Sequence, residues 1–138
     1  MRKLFMSGAS AALLIGLSLH FGYAASPTAP VMTSMPNDSM TVTDWYKQNV
    51  YDQGNNKIGD IKDVLVDKEG KISALIIAVG GFLGAGEKDV AVPFSAVQVT
   101  SKNNNKYLVM NASKDDLKNA PGYTYDRTTT MWVPERKS

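Results

Sequence analysis

The chain contains no cysteine and a single histidine, His20. The absence of cysteine excludes a disulfide scaffold, a thiolate metal site, a CxxC redox pair and a Cys nucleophile. The position of the lone histidine decides what remains. Residues 1–24 begin with Arg2 and Lys3 and continue as an apolar run from Leu4 to Phe21. They end on Gly22, Tyr23 and Ala24, with small residues three and one before a cleavage point. This is the pattern of a secretory signal peptide, cut after Ala24. The alternative, an uncleaved membrane anchor, needs about 20 strongly apolar residues. Here Ser7, Gly8, Ser10, Gly16, Ser18 and His20 dilute the run. Membrane association is therefore expected only if this segment is retained, and no Cys follows it to carry a lipid.

Trimming changes the chemistry of the rest. Of 138 residues 114 remain, and the loss of Arg2 and Lys3 from 15 basic residues leaves 13 against 13 acidic. The formal charge of the trimmed chain is zero, so the basic patch that nucleic-acid binding needs is missing. His20 leaves with the leader. General acid–base work by imidazole, Ser–His and Cys–His nucleophiles, and most zinc or copper sites lose their usual residues. No cofactor and no enzymatic activity are expected. The location expected is the periplasm or the exterior.

The length allows one modest domain. Residues 25–43 are rich in Pro, Ser and Thr, and they read as a flexible linker. Met32, Met35 and Met40 lie in it. Clustered thioethers suit Cu(I), but three sulfurs with no His beside them read more simply as an unliganded leader. From Trp45 onward the pattern is short strands and turns. Gln48–Asp52 is a strand ended by Gly54-Asn55-Asn56. Lys57–Asp67 has Ile58, Ile61 and Val64 three apart, yet Gly59 and the β-branched run Val64-Leu65-Val66 argue for a bulged strand instead of a helix.

Lys71–Val79 is the most apolar segment of the trimmed chain, apolar on both faces from residue 74 to 79. One face can line a core, and the other needs a cover, from the same chain or a second one. Strands at Lys88–Pro93, Val97–Thr100 and Lys106–Met110 follow, the last two flanking a Lys102–Asn105 turn. Six short strands suggest a small closed barrel. Ser113–Asn119 reads as a short helix, with Ser113 and Asp116 in capping-box spacing. No internal repeat is visible. Residues 126–138 form an extended tail in which Trp132 is an expected anchor.

These segments are familiar in combination. Val50-Tyr51-Asp52, Lys57-Ile58-Gly59, the run Asp63–Asp67, the run Gly80–Gly84 and the run Val90–Phe94 together resemble the PRC-barrel domain, in its small secreted single-domain form. The resemblance covers roughly residues 45–125, and it places the domain at 44–125. It implies an all-β, six-stranded PRC-type β-barrel that acts by contacting other macromolecules, with no catalytic residues. The family also includes the cytoplasmic domain of the photosynthetic reaction-centre H subunit and a domain of a ribosome-maturation factor. The signal segment sets this chain apart from both, so neither duty carries over.

The glycine-rich loop Gly80–Gly86 is followed by a strand and has no Lys-Ser/Thr pair, so it is not a phosphate cradle. Phe82 and Leu83 at its tip, with the outer face of Leu75, Ile77 and Val79, form the expected contact surface for a protein partner or a second copy. Asp60, Asp63 and Asp67 sit on an extended segment and not on a calcium loop, so ion pairs with Lys57, Lys62 or Lys68 are expected. The rival reading is a ligand- or metal-binding protein, or a hydrolase, working through carboxylates and hydroxyls.

Overall fold

A computed structural model of the chain describes residues 28–80 and 86–136. It divides into two units, Met1–Met35 and Pro36–Ser138. In the first, residues 28–35 are exposed and without helix or strand. The expected signal segment lies outside the described residues, as do Phe82 and Leu83. Among the described residues no helix is long and apolar enough to cross a membrane.

The second unit is built almost entirely from strands. In chain order it runs α1 (Val42–Trp45), β1 (Asn49–Tyr51), β2 (Lys57–Val66), β3 (Ile72–Val79), β4 (Lys88–Pro93), a 3₁₀ turn (Phe94–Ala96), β5 (Val97–Lys102), β6 (Asn105–Met110), α2 (Lys114–Asn119), β7 (Tyr123–Asp126) and β8 (Met131–Pro134). The first six strands are those expected from the sequence. The sheet order is β5-β6-β1-β2-β3-β4-β7-β8. All neighbours are antiparallel except β1 and β6, which run parallel.

Two expectations need correcting. The sheet has eight strands, not six, and its ladder is open. Closing the six-stranded part would need a β4–β5 ladder. The chain instead turns a corner through the three-residue 3₁₀ turn and passes straight from β4 into β5. The extended tail is the second correction, because residues beyond 126 include β8, which pairs with β7 as a hairpin. The compact unit also starts earlier than the expected 44. Thr41 accepts from the Asp44 backbone N–H through Oγ1 at 3.1 Å, capping α1, and Met40 packs against the core.

The six strands and both helices curl around one core. Val50, Ile58, Ile61, Leu75, Ile77, Val79, Val90, Val92, Val97 and Leu108 line it from the strands, with Trp45 and Leu117 entering from α1 and α2. The Trp45 and Phe94 rings meet at 4.7 Å between centroids. The spacing of three along β2 has a clear cause. Pairing with β1 slips between Val50 and Tyr51, and pairing with β3 slips between Ile61 and Asp63. Each bulge inserts one residue, so Ile58, Ile61 and the half-buried Val64 all keep to the inner side of a strand. Gly59 is required there: a Cβ would stand 2.5 Å from the Ala78 carbonyl oxygen and 2.7 Å from Ile77 Cγ2.

The turns are fixed by their own side chains. Asp67 Oδ1 accepts from the Glu69 and Lys71 amides, with Gly70 at φ 80°. Asn103 and Asn104, both at positive φ, turn β5 into β6. The capping box of α2 is complete, Ser113 and Asp116 each receiving the other's backbone N–H.

Candidate functional site

The strand part of the expected contact surface is not exposed, and Phe82 and Leu83 lie outside the described residues. Leu75, Ile77 and Val79 are essentially unexposed members of the core cluster. Strand alternation turns them inward, and it is Ala74, Ile76 and Ala78 that point outward. The outward face is covered too, with Ile76 at 0% exposure. The cover that the sequence demanded comes from the same chain.

On that outward face Asp63, Ile76 and Ala91 lie in one cross-strand row, and Asp60, Ala78 and Asp89 in the next. The bulge at Lys62 brings Asp60 and Asp63 to the same side, although simple alternation would separate them. Asp60 is 3.7 Å from Lys57, and no group of three metal-ligating side chains occurs among the described residues. Trp132 of β8 donates its Nε1–H to Asp63 Oδ2 at 2.7 Å, and its ring meets Tyr125 edge-on at 5.6 Å. Lys62, re-aimed by the bulge, pairs with Asp89 Oδ2 at 2.6 Å and lies 5.9 Å from the centre of the Trp132 ring. Asp89 Oδ1 is buried with no hydrogen-bond partner among the described residues. Such an orphan acceptor costs about 1–3 kcal/mol.

A second feature lies at the other end of the sheet, where α1, β1 and β6 meet. Trp45 anchors α1 in the core. Lys47, at φ 66°, then reverses the chain, and the Lys47 N–H donates to the Ile61 carbonyl at 2.8 Å. The Ile61 N–H returns a bond to the Gln48 carbonyl at 2.9 Å, so the start of β1 is held against β2. Val50 and Leu108 are paired in register and point into the core, so Tyr51 and Tyr107 point away from it. Their rings meet edge-on at 5.7 Å, and Asn49 Nδ2 donates to Tyr51 Oη at 3.4 Å.

The result is an open cleft of about 400 Å³. Met40, Tyr51, Tyr107 and Leu108 supply its apolar and aromatic surface, with Gln48, Asn49 and Lys106 among its polar residues. That volume lies in the range of binding pockets, and side-chain amides beside aromatic rings suit an amphipathic guest. Tyr107 is the site residue that sequence reasoning did not single out. Its neighbour in the cleft comes from a strand more than 50 residues earlier, joined by the parallel β1–β6 pairing. The only local signal is that Tyr107 precedes the inward Leu108.

Among the described residues three carboxylates are shifted, all downward. The Asn56 side chain, then its backbone N–H, holds Asp52 below its ordinary value. Ser113 does the same for Asp116 through its hydroxyl and then its N–H, and Asp126 is lowered first by the Thr128 N–H and then by the Thr129 hydroxyl. Each acid serves its own turn or cap.

No curated protein matches the chain. The family model of the PRC-barrel domain matches residues 37–117, more than half of the sequence. That span holds α1, the six strands around the core and the start of α2, and it stops before the β7–β8 hairpin. The chain belongs to the PRC-barrel domain family.

Proposed function

We propose that this PRC-barrel protein is exported, is trimmed after Ala24, and works without catalysis by binding a partner polypeptide in the cleft between α1, β1 and β6. The observation that carries the reading is the Tyr51–Tyr107 pair standing beside Met40 in an open cleft edged by amide side chains. Tyrosine offers a large, stiff contact area with a polar tip, and anchors of this kind dominate protein interfaces. Backbone groups of an extended peptide would pair with Asn49 and Gln48 while one of its apolar side chains lies against the paired rings and Met40.

The rival hydrolase reading asks for a carboxyl raised in pKa to act as general acid. The shifted acids here move the other way, because they are bonded to their own backbone turns. This favours the binding reading.

A photo-crosslinking residue placed at Tyr107 in the full chain, expressed in its native cells, tests the proposal. Discrete adducts are expected from that position, reduced by Tyr51→Ala, and none from Lys68 in the exposed β2–β3 turn. Equal labelling at both positions, or none at 107, overturns the cleft. N-terminal sequencing of the envelope protein tests export, with Ala25 the expected first residue. Accumulation of the untrimmed chain in the cytosol would refute that part.

A further inference from the structure

Among the described strands, the β7–β8 hairpin has the shortest ladder to its neighbour. Its only ladder position on the barrel is Asp89 opposite Tyr123. Among the described residues, the one side-chain hydrogen bond between hairpin and barrel runs from Trp132 to Asp63. Internally the hairpin is complete, with four paired positions from Tyr123–Pro134 to Asp126–Met131 and a turn held by Asp126. The Glu135 N–H closes its open end by donating to the Gly122 carbonyl at 2.9 Å. It is therefore a preformed unit, loosely held.

Two further observations point the same way. Asp89 Oδ1, where β7 meets β4, is buried with no partner among the described residues, and departure of the hairpin would return that oxygen to water. The connection from α2 runs through Ala120-Pro121-Gly122, with Ala120 extended at ψ 158°. This connection lines an open cavity of about 590 Å³ together with Lys88, Pro134, Glu135 and Arg136.

A hairpin that leaves frees Lys62, Asp63 and Asp89, the residues of the outward rows that its Trp132 and Tyr123 meet. The surface best matched to them is the same hairpin from another molecule. We propose that β7–β8 is an exchangeable element that swaps between two copies of this chain through the Ala120–Gly122 hinge, giving a two-fold dimer. Every contact made in the closed monomer recurs in the swapped pair, so only the hinge conformation and protein concentration set the balance. This inference is independent of the Tyr51–Tyr107 cleft, which lies on other strands.

The chain has no cysteine, so engineered thiols report cleanly. Asp89 and Tyr123 are paired across antiparallel strands, which brings their Cβ atoms near disulfide range. One copy of the full chain carries Asp89→Cys and a second, of different mass, carries Tyr123→Cys. Mixed and oxidised at high concentration, they should yield a mixed disulfide well above that of a Lys68→Cys and Tyr123→Cys control mixture. The double variant in one chain shows that the bond forms where the hairpin lies on the barrel. If the double variant cross-links but the mixture does not exceed its control, exchange is refuted. Hydrogen exchange on the unmodified protein is the second readout. Amides of β7 and β8 should exchange at least about tenfold faster than those of β3, as a unit that opens below the global transition. Equal protection of the hairpin and β3 would also overturn the proposal, whatever the thiols report.

Discussion

Gly59→Ala is the sharpest test of how the sheet is put together. The new methyl would meet the Ala78 carbonyl oxygen at 2.5 Å and Ile77 Cγ2 at 2.7 Å, where ordinary contact begins near 3.4 Å. Relief needs a movement of close to a full ångström, and one of the two obstacles is backbone in the neighbouring strand. That strand is pinned on both sides, to β2 and to β4, so β3 cannot retreat without loosening a ladder. Overpacking of this kind costs about 1–3 kcal/mol. Alanine also stiffens the unfolded chain, which returns about 0.4–1 kcal/mol. The expected net loss is about 2 kcal/mol, or roughly a 10 °C fall in Tm for a domain this small. Urea titration followed by far-ultraviolet circular dichroism reads it directly. Gly70 serves as the control, since its Cβ would meet nothing within 4 Å and its φ of 80° is one that asparagine tolerates. Gly70→Asn carries only the strain of positive φ and no clash, so it should cost clearly less than Gly59→Ala. A Gly59→Ala protein as stable as wild type would show that β2 and β3 do not approach as described.

Other outcomes follow from the same contacts. Ile77→Ala should cost about 2–5 kcal/mol, because the side chain is unexposed and the core cannot collapse around the hole; a surface-sized loss in urea titration would restore the outward reading of that residue. Trp132→Phe keeps the ring and removes the bond to Asp63, a charged acceptor, so it should free the hairpin by about 1.5–3 kcal/mol in hydrogen exchange while β3 protection stays put. The lowered Asp52, Asp116 and Asp126 make stability greatest above the ordinary carboxylate range and weaken it as pH falls through their folded values. Ser113→Ala should raise the Asp116 titration midpoint towards normal, read by carboxyl-carbon NMR, and blunt that part of the acid dependence; an unmoved midpoint would refute the assignment of its cause.

Much of this protein could be read residue by residue. The turn at Asn103-Asn104 and the cap at Ser113 were visible because their chemistry is local, a side chain bonding its own backbone or tolerating positive φ. The bulged character of β2 was visible because Gly59 and the β-branched run contradicted its helical spacing. The PRC-barrel family, too, was legible from short segments in order, and the match to residues 37–117 bears it out.

What sequence alone could not settle was direction and distance. Lys71–Val79 declared itself apolar on both sides, but which side faced the core depended on register against β2 and β4, and the bulge at Lys62 sets that register. One residue of slip would have exchanged Ile77 for Ile76. Tyr51 and Tyr107 became neighbours only through the parallel β1–β6 pairing, a long-range contact without a local signature. The tail became a hairpin on the sheet for the same reason: its strands have four residues each, and the Trp132–Asp63 bond that seats them joins residues 69 apart. Composition therefore determined that a covered strand must exist, and three-dimensional packing decided what covers it, because burial is a property of the folded surface and not of the chain.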